Sequence, residues 1–214
     1  MKPYIILFFS CIVSLGYGQK IDEVFKTMPE EFLPAFSEAN KTMLLVDSSF
    51  SVIPYPLGEI EKLDYDETFL SLKTSEVGTM QIKLLSLVNQ TQIIALIKTV
   101  CGTFCDSNIR FFSTDWNEID RSSLLPQIKP IAFFDATQVN TEEFKWAISH
   151  IDIFPLQYQF EKESDNIIVT FDFKKSLSKN DLQKVTPYLE NETIERSEER
   201  RVGKECRSRW SPYH

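Results

Sequence analysis

The spacing of apolar positions changes along the chain, and the changes mark out its elements. In residues 21–27 (IDEVFKT), Ile21, Val24 and Phe25 recur at helical spacing. Pro29 and Pro34 bound a second short helical piece, with Glu30 and Glu31 favourably placed in its first turn. Ser37–Phe50 carries Met43, Leu44, Leu45 and Val46 and reads as a further helix, closing near Asp47-Ser48-Ser49. The following stretch, Val52–Gly58 (VIPYPLG), holds two prolines. Each removes a ladder hydrogen bond, so the segment reads as a loop.

From Glu67 the period becomes two. Phe69–Lys73, Thr79–Leu87, Gln92–Cys101 and Asn108–Thr114 read as strands, parted by turn signals at Ser75–Gly78, Asn89-Gln90 and Cys101–Ser107. Such short connections predict an antiparallel meander of four strands. The run Ile93-Ile94-Ala95-Leu96-Ile97 is apolar on both faces, which predicts a central strand covered on both sides. Leu124–Pro130 is a proline-bounded loop or short helix. Thr141–His150 predicts a helix capped by Thr141, with Phe144, Ala147, Ile148 and Ile151 on one face. Leu156–Lys162 and Asn166–Lys174 alternate around the turn Glu163–Asp165 and predict a hairpin. Ser178–Leu189 opens with a capping pattern and ends near Pro187 as a last helix. Helices, meander, helix, hairpin, helix is the order of an α+β fold, with helices packed on an antiparallel sheet.

The two ends change this picture. Met1–Gly18 reads as a signal peptide: Lys2 is the charged region, Tyr4–Leu15 the apolar stretch, and Gly16 and Gly18 the small residues, with cleavage expected before Gln19. Export places the protein in the periplasm or cell envelope. A lipoprotein anchored through Cys11 is the minor alternative, and no membrane span is expected after cleavage. At the other end, 196–214 (RSEERRVGKECRSRWSPYH) reproduces a common sequencing adapter translated in one frame. It reads as a non-native tail, with the native chain cut near Glu195. The tail holds six Arg and Lys and three Glu. Without it Lys+Arg falls from 23 to 17, Asp+Glu from 31 to 28, and the net charge moves from -8 to -11. Residues 19–195 are one domain in size, and their acidity argues against nucleic acid and anionic membranes as partners.

Candidate chemistry is sparse. Cys101-Gly102-Thr103-Phe104-Cys105 is the sharpest local feature, because an oxidising compartment and a glycine-bearing turn favour a disulfide between Cys101 and Cys105. Free buried thiols and a redox-active pair are the alternatives. The pair lacks the two-residue spacing and helix N-terminus of low-pKa thiols. Asp64-Tyr65-Asp66-Glu67 and Asp115–Asp120 are acidic clusters without the glycine of a calcium loop, and read as solvated loop ends with no metal. His150 has no nucleophile motif for company. No glycine-rich phosphate loop is present, and no cofactor is expected. Among the aromatic residues, Phe112, Phe134 and Trp116, with Asp115 beside it, are the candidates for a ligand or partner surface, one of Phe133 and Phe134 being exposed if the pair is extended.

Several motifs together resemble a known family. Met28-Pro29, Leu33-Pro34, Lys83-Leu84-Leu85 and Thr99-Val100-Cys101-Gly102 occur in order, followed by Asp106-Ser107, Phe111 and Thr114-Asp115-Trp116. In this the chain is similar to a secreted domain family of unknown function from Bacteroidales bacteria, over about residues 21–195. The resemblance implies export and the fold class, and no catalytic residues. It also implies one further C-terminal strand, which Thr193-Ile194-Glu195 would open and the tail would interrupt. The expectation is a non-catalytic module binding an envelope protein, a peptide or a small ligand. Two alternatives stand beside it: a thiol-redox protein, and an assembly subunit pairing through a sheet edge.

Overall fold

Strands largely buried on both faces build the centre of the molecule. A computed structural model of the chain describes residues 18–46, 51–56, 58–87, 89, 91–151, 153–175 and 177–196. The expected signal region up to residue 17, with Cys11, and the tail beyond Arg196 lie outside the described residues. In chain order the strands are β1 (Val52–Tyr55), β2 (Gly58–Tyr65), β3 (Phe69–Lys73), β4 (Gly78–Ser86), β5 (Gln92–Cys101), β6 (Cys105–Ser113) and β7 (Glu118–Ile119). They form one antiparallel sheet in the order β1-β2-β3-β4-β5-β6-β7. A second antiparallel sheet holds β8 (Leu156–Phe160), β9 (Ile167–Phe171) and β10 (Thr193–Arg196), in the order β10-β9-β8. The helices α1 (Ile21–Lys26), α2 (Glu38–Val46), α3 (Glu142–Ile148) and α4 (Lys179–Val185) are short. The fold is α+β, as the element order predicts.

Three expectations are corrected. The meander has seven strands, not four. Val52–Gly58 is not simply a loop, since Val52–Tyr55 pairs with β2, Pro54 opposite Glu59. β1 is an edge strand, where a missing N–H breaks no ladder. The long strand β2 is masked in the sequence because its alternation fails: the register shifts between Lys62 and Asp64, burying Lys62 and leaving Leu63 exposed. The C-terminal hairpin is in fact part of a three-stranded sheet. Its third strand opens at Thr193, as the resemblance implies, and pairs with β9 as far as Arg196 opposite Ile167.

β5 is buried on both faces, as its continuous apolar run predicts. Ile93, Ala95 and Ile97 face one core with Leu85, Ile109 and Phe111. Ile94 and Leu96 face a second core with Met80, Ile82 and Leu84. The second core is closed by Ile21, Val24 and Phe25 of α1, Phe32 and Leu33, and Leu44 and Leu45 of α2. The first is closed by Tyr158, Phe160, Ile167, Val169 and Phe171 of the small sheet, with Phe144 of α3 and Phe133 and Phe134. The large sheet is therefore the middle of three layers. Burying each such side chain contributes about 1.5–3 kcal/mol.

Polar groups fix how the layers dock. Three alternate N–H groups of β8 donate to side chains of the large sheet: Leu156 to Asp106 (3.1 Å), Tyr158 to Ser107 (3.1 Å) and Phe160 to Gln81 (3.1 Å). An edge strand is thus satisfied without a strand partner. Lysine ammonium groups serve the same end. Lys41 donates to the carbonyl of Met28, Lys62 to that of Leu44 (2.8 Å), and Lys98 to that of Phe32 (2.7 Å). Lys83 reaches the carbonyls of Glu161 (2.7 Å), Lys162 (3.2 Å) and Ser164 in the β8–β9 turn. The predicted caps form: Thr141 accepts from the Phe144 N–H and Ser178 from the Asp181 N–H, each at 3.2 Å.

Candidate functional site

Two of the sequence-derived candidates fall away on burial alone. Phe112 and Phe134 are 1 % and 2 % exposed. Phe112 points into the core beneath the N-terminal helices, and Phe134 stacks edge-on to Phe144 and Phe171. Phe133 is buried as well, because Pro130–Phe133 forms a 3₁₀ turn instead of an extended segment. Neither phenylalanine of that pair offers a surface to a ligand.

Cys101 and Cys105 form a disulfide. They are directly opposed in the β5–β6 register, with Cα atoms 4.0 Å apart, so the bond staples the mouth of a hairpin whose loop is Gly102-Thr103-Phe104. Both residues are half-buried. The Cys105 N–H donates to Asp172 (3.0 Å) just past β9, so the stapled end is also where the two sheets meet.

Trp116 and Asp115 lie in the β6–β7 turn. Trp116 is half-buried and takes the left-handed conformation at φ 62°, which a bulky residue adopts only when its surroundings impose it. Here they do: its indole N–H donates to the Val24 carbonyl (3.1 Å), and its ring lies against Phe32 (5.3 Å) and Phe112 (5.4 Å). The tryptophan is a strut between this turn and α1. Asp115 is exposed beside it.

The strut leads to a recess that sequence reasoning missed. Beside Phe32, three polar side chains stand on one face of β5 and β6. Lys98 is directly opposite Asn108, and Arg110 follows two residues on. With Glu31, Phe32 and Leu96 they line an open recess of about 410 Å³. The Phe32 ring lies under both cations, 5.6 Å from the Lys98 ammonium and 5.2 Å from the Arg110 guanidinium. Arg110 is held by Glu118 through two hydrogen bonds (2.9 and 2.8 Å), which raises its own pKa and lowers that of Glu118. Burial, and after it the charge of Arg110, push the Lys98 ammonium below the usual lysine range. The signal was available in principle: Lys98 interrupts the inward face Ile94–Leu96, and Asn108 and Arg110 share a face at period two.

The acidic clusters serve structure. Asp64 pairs with Lys162 (2.7 Å), and Asp66 accepts from the Thr68 and Phe69 N–H groups (2.7 and 2.8 Å). Among the described residues no group of three His, Cys, Asp or Glu is arranged to hold a metal ion. His150 donates through Nδ1–H to the Trp146 carbonyl (2.8 Å), and its ring lies edge-on to the exposed Trp146 ring. Trp146, Ala147, Pro187 and Tyr188 floor a shallow groove between α3 and the turn after α4, rimmed by Glu142, Glu143, Gln183 and Lys184. No helix among the described residues is long and apolar enough to cross a membrane.

Residues 13–199 match a family model described as "Protein of unknown function (DUF3256)". No curated protein matches the chain. Among solved structures, the chain is similar to a domain of an uncharacterized protein from Porphyromonas gingivalis W83. The TM-score is 0.73 at 20 % identity, over 84 % of this chain and 94 % of that one. At that identity the likeness speaks for the fold alone.

Proposed function

The chain belongs to the DUF3256 family, and on that premise we propose that it is an exported, non-catalytic binding module of the cell envelope whose binding surface is the recess around Lys98. The observation that carries this reading is the pairing of two cations, Lys98 and Arg110, over one aromatic ring in an open recess of a strongly acidic protein. Two adjacent positive charges repel each other, and an incoming anion relieves that repulsion. Lys98 serves the Phe32 carbonyl and Arg110 serves Glu118, and each has donor capacity beyond that contact.

Two experiments test the reading. Fractionation of the producing bacterium, with N-terminal sequencing, is expected to find the protein in the envelope with Gln19 first; a cytoplasmic protein that keeps residue 1 contradicts export. Amide spectra recorded against a panel of anions are expected to move at Lys98, Asn108 and Arg110. A panel that leaves those signals in place removes the recess from the proposal.

A thiol-redox reading has one observation in its favour, the half-buried and so reachable Cys101–Cys105 bond. The pair sits on two strands, without the helix N-terminus that stabilises a thiolate. Loss of a reductase or isomerase activity in the double Cys→Ser variant at unchanged fold would move the assignment to this reading. An assembly reading draws on β10, the outer strand of the small sheet. Concentration-dependent association that fails when Thr193, whose N–H faces away from β9, is replaced by Pro would support it.

A further inference from the structure

The recess at Lys98 does not end at Lys98. A second cavity, a cleft of about 220 Å³, is lined by the same lysine and shares Phe32 with the recess. Its character is different. Leu33, Pro34, Tyr55, Met80 and Val100 give it apolar walls beside Thr74, Thr79 and Thr99, and Val100 at its mouth, near the end of β5, is 60 % exposed. A cationic recess and an apolar cleft therefore meet at one ammonium group.

The donors at that junction are not fully used. Lys98 spends one N–H on the Phe32 carbonyl (2.7 Å), and an ammonium has three. Arg110 spends Nε and one terminal nitrogen on Glu118, while its other terminal nitrogen stands 4.0 Å from the exposed Glu31. Asn108 is exposed opposite Lys98. An acid group placed between them meets donors from three side chains. The rim sets the charge it takes: Glu31 and Glu118 flank the two cations and match them in number, so one negative charge meets less repulsion than two. The wall of the cleft carries a further mark. Ala35, next to Pro34, holds φ 59°, and its N–H donates to Glu30 (3.2 Å). Non-glycine backbone in this region persists where its surroundings over-determine it, commonly at ligand clamps.

We propose that recess and cleft form one site for a small amphipathic carboxylate, its acid group between Lys98, Asn108 and Arg110 and its apolar part along Leu33, Tyr55 and Met80. This rests on the reading of the recess as a binding surface and names the class of ligand that it takes. Lys98 and Arg110 hold the acid group by charge-assisted hydrogen bonds. The cleft removes the hydrocarbon from water and covers Val100.

The probe is octanoate, compared with acetate, methyl octanoate and inorganic phosphate, each titrated into the isotope-labelled protein. Octanoate is expected to shift signals of Lys98, Asn108, Leu33 and Met80 saturably. Methyl octanoate, which lacks the charge, is expected to bind about tenfold or more weaker, the worth of one charge-assisted hydrogen bond. Lys98→Met is expected to lose about tenfold or more for the same reason, with thermal unfolding checking that it folds. Asn108→Ala and Val100→Asp change exposed positions and provide the same test if Lys98→Met does not fold. The first weakens octanoate and the second places a carboxylate in the cleft mouth and abolishes it.

Equal binding of octanoate and its methyl ester overturns the carboxylate assignment, as does tighter binding of phosphate. Equal binding of acetate and octanoate at Lys98 overturns the amphipathic site yet leaves the recess an anion-binding surface. No shift at Lys98 with any probe removes both.

Discussion

Lys83 offers the most direct test of how this fold is held together. It stands on the central strand β4, is 2 % exposed, and passes its ammonium to three carbonyls of the β8–β9 turn, those of Glu161, Lys162 and Ser164. Lys83→Met keeps the aliphatic stem and removes the charge. Two effects oppose each other. A buried charge is relieved of its desolvation cost, which by itself can make such replacements neutral or stabilising. Against that, hydrogen bonds to a charged donor contribute about 1.5–3 kcal/mol each. Glu161 and Lys162 are exposed, and their carbonyls can turn to water. The half-buried Ser164 carbonyl cannot do so as freely, so roughly one to two of the three bonds are lost in full. The net expectation is a loss of about 2–4 kcal/mol. In a domain of this size each kcal/mol moves the midpoint by about 2–4 °C, which places the thermal midpoint about 5–15 °C lower. Calorimetry measures it, with the exposed Lys179→Met as the control for losing a charge. Amide exchange should quicken first in β8 and β9. A Lys83→Met protein within about 1 kcal/mol of the parent, or one that exchanges no faster in the small sheet, refutes the clamp and shows that desolvation relief dominates.

Other expectations follow from single contacts. Replacing Cys101 and Cys105 together by Ser removes a crosslink closing a five-residue loop, worth about 2 kcal/mol on the loop-entropy account, and denaturant unfolding with and without reductant measures it. A loss well above that would show the bond holding more than its own hairpin. Gln81→Met leaves the Phe160 N–H without its acceptor and should cost about 1–3 kcal/mol, read by the same unfolding curves. Burial, and after it the hydrogen bond to Asp22, push the Tyr65 phenol up to about 12. Its folded pKa lies above the ordinary tyrosine value of about 10, so its contribution is complete below about pH 10 and is lost as pH rises through about 12. Spectrophotometric titration should show this late phenolate, and Tyr65→Phe should remove it; a phenol ionising near pH 10 would contradict the burial argument.

Legibility in the sequence followed how far neighbouring side chains alone decide an element. Phe69–Lys73 and Gln92–Cys101 were readable to the residue, because β-branched and apolar runs of strand length are bounded there by turn signals. Thr141 and Ser178 were readable as caps, since an N-cap is a purely local interaction. β1 and β2 were not. Pro54 signals a loop unless the strand is known to lie at an edge, and Lys62 signals solvent unless its ammonium is known to meet the Leu44 carbonyl. Both facts belong to the assembled sheet. The candidate site divided the same way. The disulfide was legible from the short spacing, its glycine-bearing turn and the expectation of export, whereas Phe112 and Phe134 were misplaced because aromatic type does not reveal which face a residue presents. Lys98, Asn108 and Arg110 gain meaning only once β5 and β6 are paired in register and Phe32 is seen to lie against both cations.

The buried and half-buried lysines connect these observations. Helices of six to nine residues are marginal in water and hold only through packing. Each helix end also leaves carbonyls without partners. Lys41 meets the carbonyls after α1 and Lys62 one at the end of α2. Lys83 closes the small sheet's turn in the same manner. In an acidic chain these ammonium groups are the natural complement to the negative ends of short elements. Lys98 begins as another member of the set, on the carbonyl of Phe32. What separates it is its surroundings. Lys41, Lys62 and Lys83 are buried where they meet their carbonyls, but Lys98 stands at the edge of the helical layer, with Arg110 beside it and open space before it. The same device that fastens the periphery elsewhere thus leaves donors facing solvent here. A structural lysine at the margin of its layer is the origin of the proposed binding site.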